Sequence, residues 1–244
     1  MTSWNGLVKD KKLIKCGTEV INCGGTKYLA SWIEPMAYGS EKFVIEAIPK
    51  AKEWQSTFLS IPFEHTMIYA LWGVVNTAVV YKYDEMSKYP DYWNSVDETY
   101  HDKWGDCEDS AIALTSASSR VSLKGDVKLA IGYYTLGGWY GHAFCIYSSP
   151  YFKKDVVLET TWDDYITPNR AILLESSFYH PTVVGNDKIP FKQVCNCTHC
   201  QEMMDYLTTG KKLAYRTSKA EPVLKVQLKE IEVKKSWLRK ILRR

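Results

Sequence analysis

With 244 residues, 45% of them hydrophobic and 24% charged, the chain has an ordinary globular composition and enough length to bury a core, so one elaborated domain is the default. A net charge of +3 is too small to define a nucleic-acid-binding protein, which needs basic side chains gathered on one surface. No stretch approaches the roughly 20 apolar residues of a membrane span, and the opening MTSWNGLVKDKKLIKC lacks the apolar run of a secretion signal, so a cytoplasmic chain starting near Met1 is expected.

Residues 1–60 mix short β-prone runs, TEVINC and KFVIEAI, with Gly24, Gly25, Pro35 and Pro49, and read as an N-terminal elaboration. From Glu64 the pattern changes. Met67, Ile68, Leu71, Trp72, Val75, Ala78, Val79 and Tyr83 recur every three or four residues and stop before Pro90, which predicts an amphipathic helix. The acid- and aromatic-rich PDYWNSVDETYHDKWG reads as a loop leading to a second helix at Asp106, with Asp106 as N-cap and Asp109 reaching back as a short capping-box partner. Ala111, Leu114 and Ser118 mark its packing face.

Beyond Gly125 three β-runs, DVKLAIGYYT, WYGHAFCIY and DVVLETTW, are separated by the turn signals LGG and SSPYFKKD, which argues for an antiparallel sheet. A helix followed by such a sheet predicts an α+β layer, the helix packed on the strands. The expected organisation is a core over 61–180, with 181–244 as a C-terminal segment carrying VCNCTHC, a helix around QEMMDYL and a basic tail, KKSWLRKILRR.

The chemistry concentrates at WGDCEDSA. A thiol attacks carbonyls only as thiolate, and the first turn of a helix offers unpaired amide hydrogens and a dipole that favour an anion on sulfur or on an attacked carbonyl. Asp106, Glu108 and Asp109 oppose this electrostatically, so Cys107 needs a cationic partner. His142 in GHAFCIY is the candidate: alternation puts His142, Phe144 and Ile146 on one strand face, and a His142 facing the helix would pair with Cys107. Glu159, on the next β-run, is best placed to hold the far ring nitrogen, with Asp163 and Asp164 in reserve. Cys145, on the other face, reads as core packing, and Asp106 and Asp109 as capping groups. Trp72, Trp93 and Trp104 are candidates to assist an oxyanion or line the cleft.

The helix before Asp84, the approach YWNSVDET, then GDCEDSA, GHAF and VVLETT, in that order over residues 64–166, resemble the transglutaminase-like cysteine proteinases, rearranged relatives of the papain fold. The resemblance implies a papain-like α+β core with Cys107 as nucleophile, His142 as general base and Glu159 as the acid that orients the ring. It departs at Glu159-Thr160, where the family usually has aspartate, and at Phe144, where tryptophan is common. It implies amide-bond hydrolysis of a protein or peptide substrate through an acyl-enzyme, with no cofactor needed for catalysis. The alternatives are a protein-crosslinking transglutaminase and a silent structural or interaction module on the same fold.

Cysteines 16, 23, 107, 145, 195, 197 and 200 are odd in number, so not all pair within the chain, and reduced thiols fit best. Cys197 and Cys200 have a two-residue gap common at zinc, and Cys16 with Cys23 could supply a second pair. The usual knuckle glycine is missing and that first pair is widely spaced, so unpaired thiols are expected ahead of a structural zinc. In the tail, Trp237, Leu238, Ile241 and Leu242 share a helical face against Lys234, Lys235, Arg239, Lys240, Arg243 and Arg244. That pattern suits a helix docked on its own protein, or contact with an acidic partner, nucleic acid or a membrane surface.

Overall fold

The computed structural model describes residues 39–83, 93–121, 126–149, 151–161, 166–186, 189 and 191–209. Cys16, Cys23, the run TEVINC, Asp163, Asp164 and the basic tail lie outside the described residues.

The segment KFVIEAI forms part of a helix, α1 (Ser40–Thr57), rather than a β-run. Phe43, Ala47, Ala51 and Trp54 are buried at spacings of three and four, so the apolar stripe outweighs the local β preference of Val44 and Ile45. Pro49 sits inside this helix. Its missing N–H would have bonded the carbonyl of Ile45, whose residue is 65% exposed, so water can take that acceptor.

Helix α2 (Phe63–Ala78) is buried at every position from His65 to Val75, which makes it a central helix rather than an amphipathic one. It ends at Val79, and the chain turns extended, so Tyr83 lies beyond it. The two-residue strand β1 (Val80–Tyr81) pairs in parallel with β2 (Trp104–Gly105), Tyr81 opposite Gly105. Between them the expected loop contains a short helix, α3 (Val96–Asp102), opened by a full capping box: Glu98 N donates to Ser95 Oγ at 3.2 Å and Ser95 N donates to Glu98 Oε2 at 2.9 Å. Helix α4 (Cys107–Val121) follows and packs on both α1 and α2.

The three β-runs form β3 (Asp126–Tyr134), β4 (Tyr140–Ser148) and β5 (Asp155–Leu158). Two later strands, β6 (Tyr179–Gly185) and β7 (Lys192–Gln193), complete an antiparallel sheet of order β5-β4-β3-β6-β7. The molecule is thus α+β, with the helix that bears Cys107 packed on an antiparallel sheet, as the sequence predicts. Leu129, Ile131, Tyr133, Ala143, Cys145 and Tyr147 join the core shared with α1, α2 and α4, whereas Ala130, Phe144, Ile146, Val157, Tyr179 and Val184 form a second apolar cluster. The two memberships follow the period-two alternation of the strands.

The register of β3 with β6 shifts between Ile131, opposite Val183, and Gly132, opposite Pro181, leaving Thr182 as the extra residue of a bulge. Gly132 is required there, because a Cβ would lie 2.1 Å from the His180 carbonyl oxygen. Helix α5 (Thr198–Thr209) packs against β6 and buries Cys200, Met203 and Leu207. Among the described residues no helix is long and apolar enough to cross a membrane.

Candidate active site

The N-terminus of α4 is held by its acids. Asp106 is the N-cap in backbone terms, its carbonyl accepting from Ser110 N at 3.3 Å. The buried Asp109 carboxylate accepts from Asp106 N at 3.2 Å, from Asn94 N at 2.6 Å and from Asn94 Nδ2 at 3.0 Å. Asp109 therefore completes the predicted reach-back and also ties the segment before α3 to the helix start. Gly105 is small for the same reason, since a Cβ would stand 2.7 Å from Asp109 Cβ. Cys107, in the first turn, is half-buried and free.

Cys145 rather than His142 faces the body of α4: its thiol donates to Ala111 O at 3.3 Å, and burial pushes its pKa up to about 12. His142 lies on the other strand face, with Phe144 stacked at 6.0 Å and Tyr179 at 6.1 Å. Its ring comes near the N-terminus of α4, close enough to Cys107 for the thiol to help raise its pKa. Nε2 of the same ring is 2.8 Å from Glu159 Oε2. Burial alone would lower the pKa of His142, but the Glu159 carboxylate and then Cys107 outweigh it and hold the pKa well above the ordinary histidine value.

Glu159 lies immediately beyond β5 and is wholly buried. Its two oxygens divide the work: Oε2 faces His142, while Oε1 accepts from Thr161 N at 2.9 Å and Thr161 Oγ1 at 2.7 Å. Its carbonyl is fixed as well, by Trp72 Nε1 at 2.6 Å and Asn76 Nδ2 at 3.3 Å, both from α2. Burial works to raise the pKa of the carboxyl, yet His142 and its hydrogen bonds bring it down to about 2. The additional methylene of glutamate thus fits, because the chain beyond β5 supplies donors for the second oxygen. The structure brings together Cys107, His142 and Glu159.

Among the surrounding residues, Tyr81 and Tyr179 are ones that the sequence did not single out. The β1–β2 pairing sets Tyr81 across from Gly105, two residues before Cys107. The pKa of its phenol is raised by burial first and then by Cys107 and Asp106, so the hydroxyl stays protonated. The Tyr179 hydroxyl lies against Glu159, near enough to help lower its pKa but without a well-formed direct hydrogen bond. Glu108 is close too, its Oε2 accepting from Cys107 Sγ at 3.2 Å. Of the tryptophans, Trp72 is committed to the Glu159 carbonyl, Trp93 is buried, and Trp104 lies under the Lys82 ammonium at 4.5 Å. A second group of chemically active side chains, His180, Cys195, Cys197 and Cys200, gathers beside β6 with ligand atoms all within 4.8 Å of one another.

No protein-family model and no curated protein matches the chain. Among solved structures the chain is similar to LapG of Legionella pneumophila. The EGTA-treated form is 13% identical over 65% of this chain and 97% of LapG, with a TM-score of 0.40. The calcium-bound form is 14% identical over 65% of this chain and 99% of LapG, with a TM-score of 0.38.

Proposed function

We propose that the chain is a cysteine-dependent amide-bond hydrolase, a transglutaminase-like peptidase or amidase, that works through a thioester acyl-enzyme. The observation that carries this reading is a single imidazole, His142, that lies near the Cys107 thiol and 2.8 Å from a fully buried carboxylate, Glu159. In this mechanism His142 takes the thiol proton as Cys107 attacks a carbonyl, then returns it to the departing amine. The thioester forms as the amide bond breaks. A water deprotonated by His142 next attacks the thioester and regenerates the thiol. Glu159 keeps the ring oriented and balances its charge. The amides of the first turn of α4 and the Tyr81 hydroxyl are the oxyanion donors. These side chains and water suffice, with no cofactor in the chemistry.

The substrate is a protein or peptide amide, and a lysine amine in place of water would turn the same acyl-enzyme into a crosslinker. Free thiols at all five described cysteines suit a reducing, cytosol-like compartment. One observation favours a second reading, a silent interaction module on the same fold: the Cys107 thiol donates to Glu108 Oε2 at 3.2 Å, a contact directed at a carboxylate rather than at the imidazole.

Iodoacetamide labelling followed by peptide mass mapping separates the two. The hydrolase reading expects Cys107 to label at least tenfold faster than the other cysteines, and faster in the native chain than in His142→Ala. It also expects an intact-mass adduct from a peptide lysate that Cys107→Ala lacks. Uniform slow labelling with no adduct would favour the silent module.

A further inference from the structure

We infer that His180, Cys195, Cys197 and Cys200 form a structural zinc site that staples β6 and α5 together. Their ligand atoms all lie within 4.8 Å of one another. A tetrahedral zinc with Zn–S bonds of about 2.3 Å holds its ligands about 3.8 Å apart, so closing this group around an ion needs only small rotamer adjustments. His180 Nε2 is already 3.2 Å from Cys195 Sγ and 3.6 Å from Cys197 Sγ.

The grouping is a product of the fold rather than of sequence spacing. Strand β7 runs antiparallel to β6, with Gln193 opposite Val183 and Val194 N bonded to Thr182 O at 2.8 Å. Continuing that direction carries Cys195 and Cys197 back beside His180. The chain then enters α5, whose first turn presents Cys200. Four side chains from one strand, one turn and one helix end therefore converge, and the donor set of three thiolates and an imidazole suits zinc with no coordination position left open.

Supporting contacts surround the ligands as they do at built metal sites. Thr182 Oγ1, from the bulge residue, donates to Cys200 Sγ at 3.2 Å, and Cys197 N donates to Cys195 Sγ at 3.5 Å. The Trp139 ring packs edge-on to His180 at 5.2 Å and covers one side. Binding would release the thiol protons, and three thiolates with a neutral imidazole leave one net negative charge around a divalent ion, which those N–H and O–H donors offset.

The ligand set differs from the one the sequence suggests: His180 and Cys195 join Cys197 and Cys200, in place of Cys16 and Cys23. The site stands apart from the reaction proposed at Cys107, but His180 follows Tyr179, whose ring packs 6.1 Å from His142. Metal on β6 would hold that wall of the site.

The test is zinc content of the full chain, grown with zinc, purified without chelator under reducing conditions and measured by plasma mass spectrometry. About one zinc per chain is expected. The content should fall at least tenfold in His180→Phe and Cys200→Ser, and be retained in His180→Cys, in Cys107→Ser and in the double variant Cys16→Ser/Cys23→Ser. Because ligand variants can misfold, cobalt titration of the metal-stripped native chain gives an independent reading. Intense thiolate-to-cobalt charge transfer with tetrahedral d–d bands supports the site. A folded native chain with under a tenth of an equivalent of zinc and no such spectrum overturns it. So does zinc retained in His180→Phe, or lost from the Cys16→Ser/Cys23→Ser chain.

Discussion

Nε2 of His142 stands 2.8 Å from Oε2 of Glu159, and the carboxylate has no exposed surface. A buried carboxylate is tolerated only when its charge is matched and its oxygens are hydrogen-bonded. Here the imidazole supplies the first and Thr161 the second. Glu159→Gln keeps the shape but removes the charge and presents an amide to the ring. If the triad reading holds, amide turnover should fall on the order of 10²-fold or more, with little loss of substrate affinity. Steady-state kinetics of the pure variant, with circular dichroism as a control on folding, checks this. Turnover within twofold of the native chain would remove Glu159 from the proposed machinery.

Acid should destabilise the fold in two separable steps. His65 is buried between α2 and the sheet, Nε2 at 3.0 Å from Pro168 O and Nδ1 at 3.2 Å from Ser149 Oγ, and burial lowers its pKa from 6.5 to about 4. Between those values the unfolded chain binds a proton that the folded chain refuses, so stability falls as pH drops through the window, by about 3 kcal/mol in total. Glu159, held down at about 2 against an ordinary 4.5, removes further stability from pH 4.5 downward by the same sign. His142 runs the other way: its raised pKa contributes stability that is complete below pH 6.5 and lost as pH rises through the folded value. Urea midpoints from pH 7 to pH 4 should decline steeply in the native chain. In His65→Phe, with a ring that can pack among Tyr69, Tyr147, Tyr151 and Phe152 without titrating, the decline should be shallow.

Trp72 couples the central helix to Glu159 by one indole hydrogen bond, 2.6 Å to its carbonyl. Trp72→Phe loses that donor and leaves a small cavity in a fully buried site, so unfolding free energy should drop by about 2–3 kcal/mol. Asn76, also bonded to that carbonyl, limits the displacement of Glu159. Labelling of Cys107 should therefore slow only severalfold. Denaturation curves and labelling rates measured on one preparation test both parts, and a variant as stable as the native chain would mean that the indole bond contributes nothing.

The grouping of Cys107, His142 and Glu159 was legible in the sequence because each sits at a local landmark: a helix start after Gly-Asp, a glycine-preceded strand position, and the end of the following β-run. What escaped depended on pairings between distant segments. Tyr81 is brought to the start of α4 by a two-residue parallel pairing with Gly105, and His180 meets the cysteines because β7 returns along β6. The sequence offers no local signal for either. Helix α3 is a different case. Its Ser95 and Glu98 spell a capping box, but the surrounding acids and aromatics suggested a loop, and the cap outweighed them. In α1 the four-residue spacing of Phe43, Ala47 and Ala51 was the better guide than Pro49, since a proline on the solvent side breaks only one hydrogen bond.

In the proposed mechanism, the Tyr81 hydroxyl offers a way to divide oxyanion stabilisation from thiol activation. Its partner strand ends two residues before Cys107, and its phenol remains protonated, so it can donate to an oxygen that becomes negative only when a carbonyl is attacked. Tyr81→Phe removes the donor and retains the ring, including its edge contact with Tyr83 at 5.1 Å. Acylation by an amide or ester substrate should then slow on the order of 10- to 10³-fold, the loss falling on kcat. Alkylation by iodoacetamide forms no oxyanion, so its rate at Cys107 should change by less than about threefold. The comparison is made by stopped-flow acylation and by timed alkylation of the same variant. Parallel losses in both rates would show that Tyr81 acts on the sulfur itself, and unchanged acylation would assign the oxyanion to the α4 amides alone.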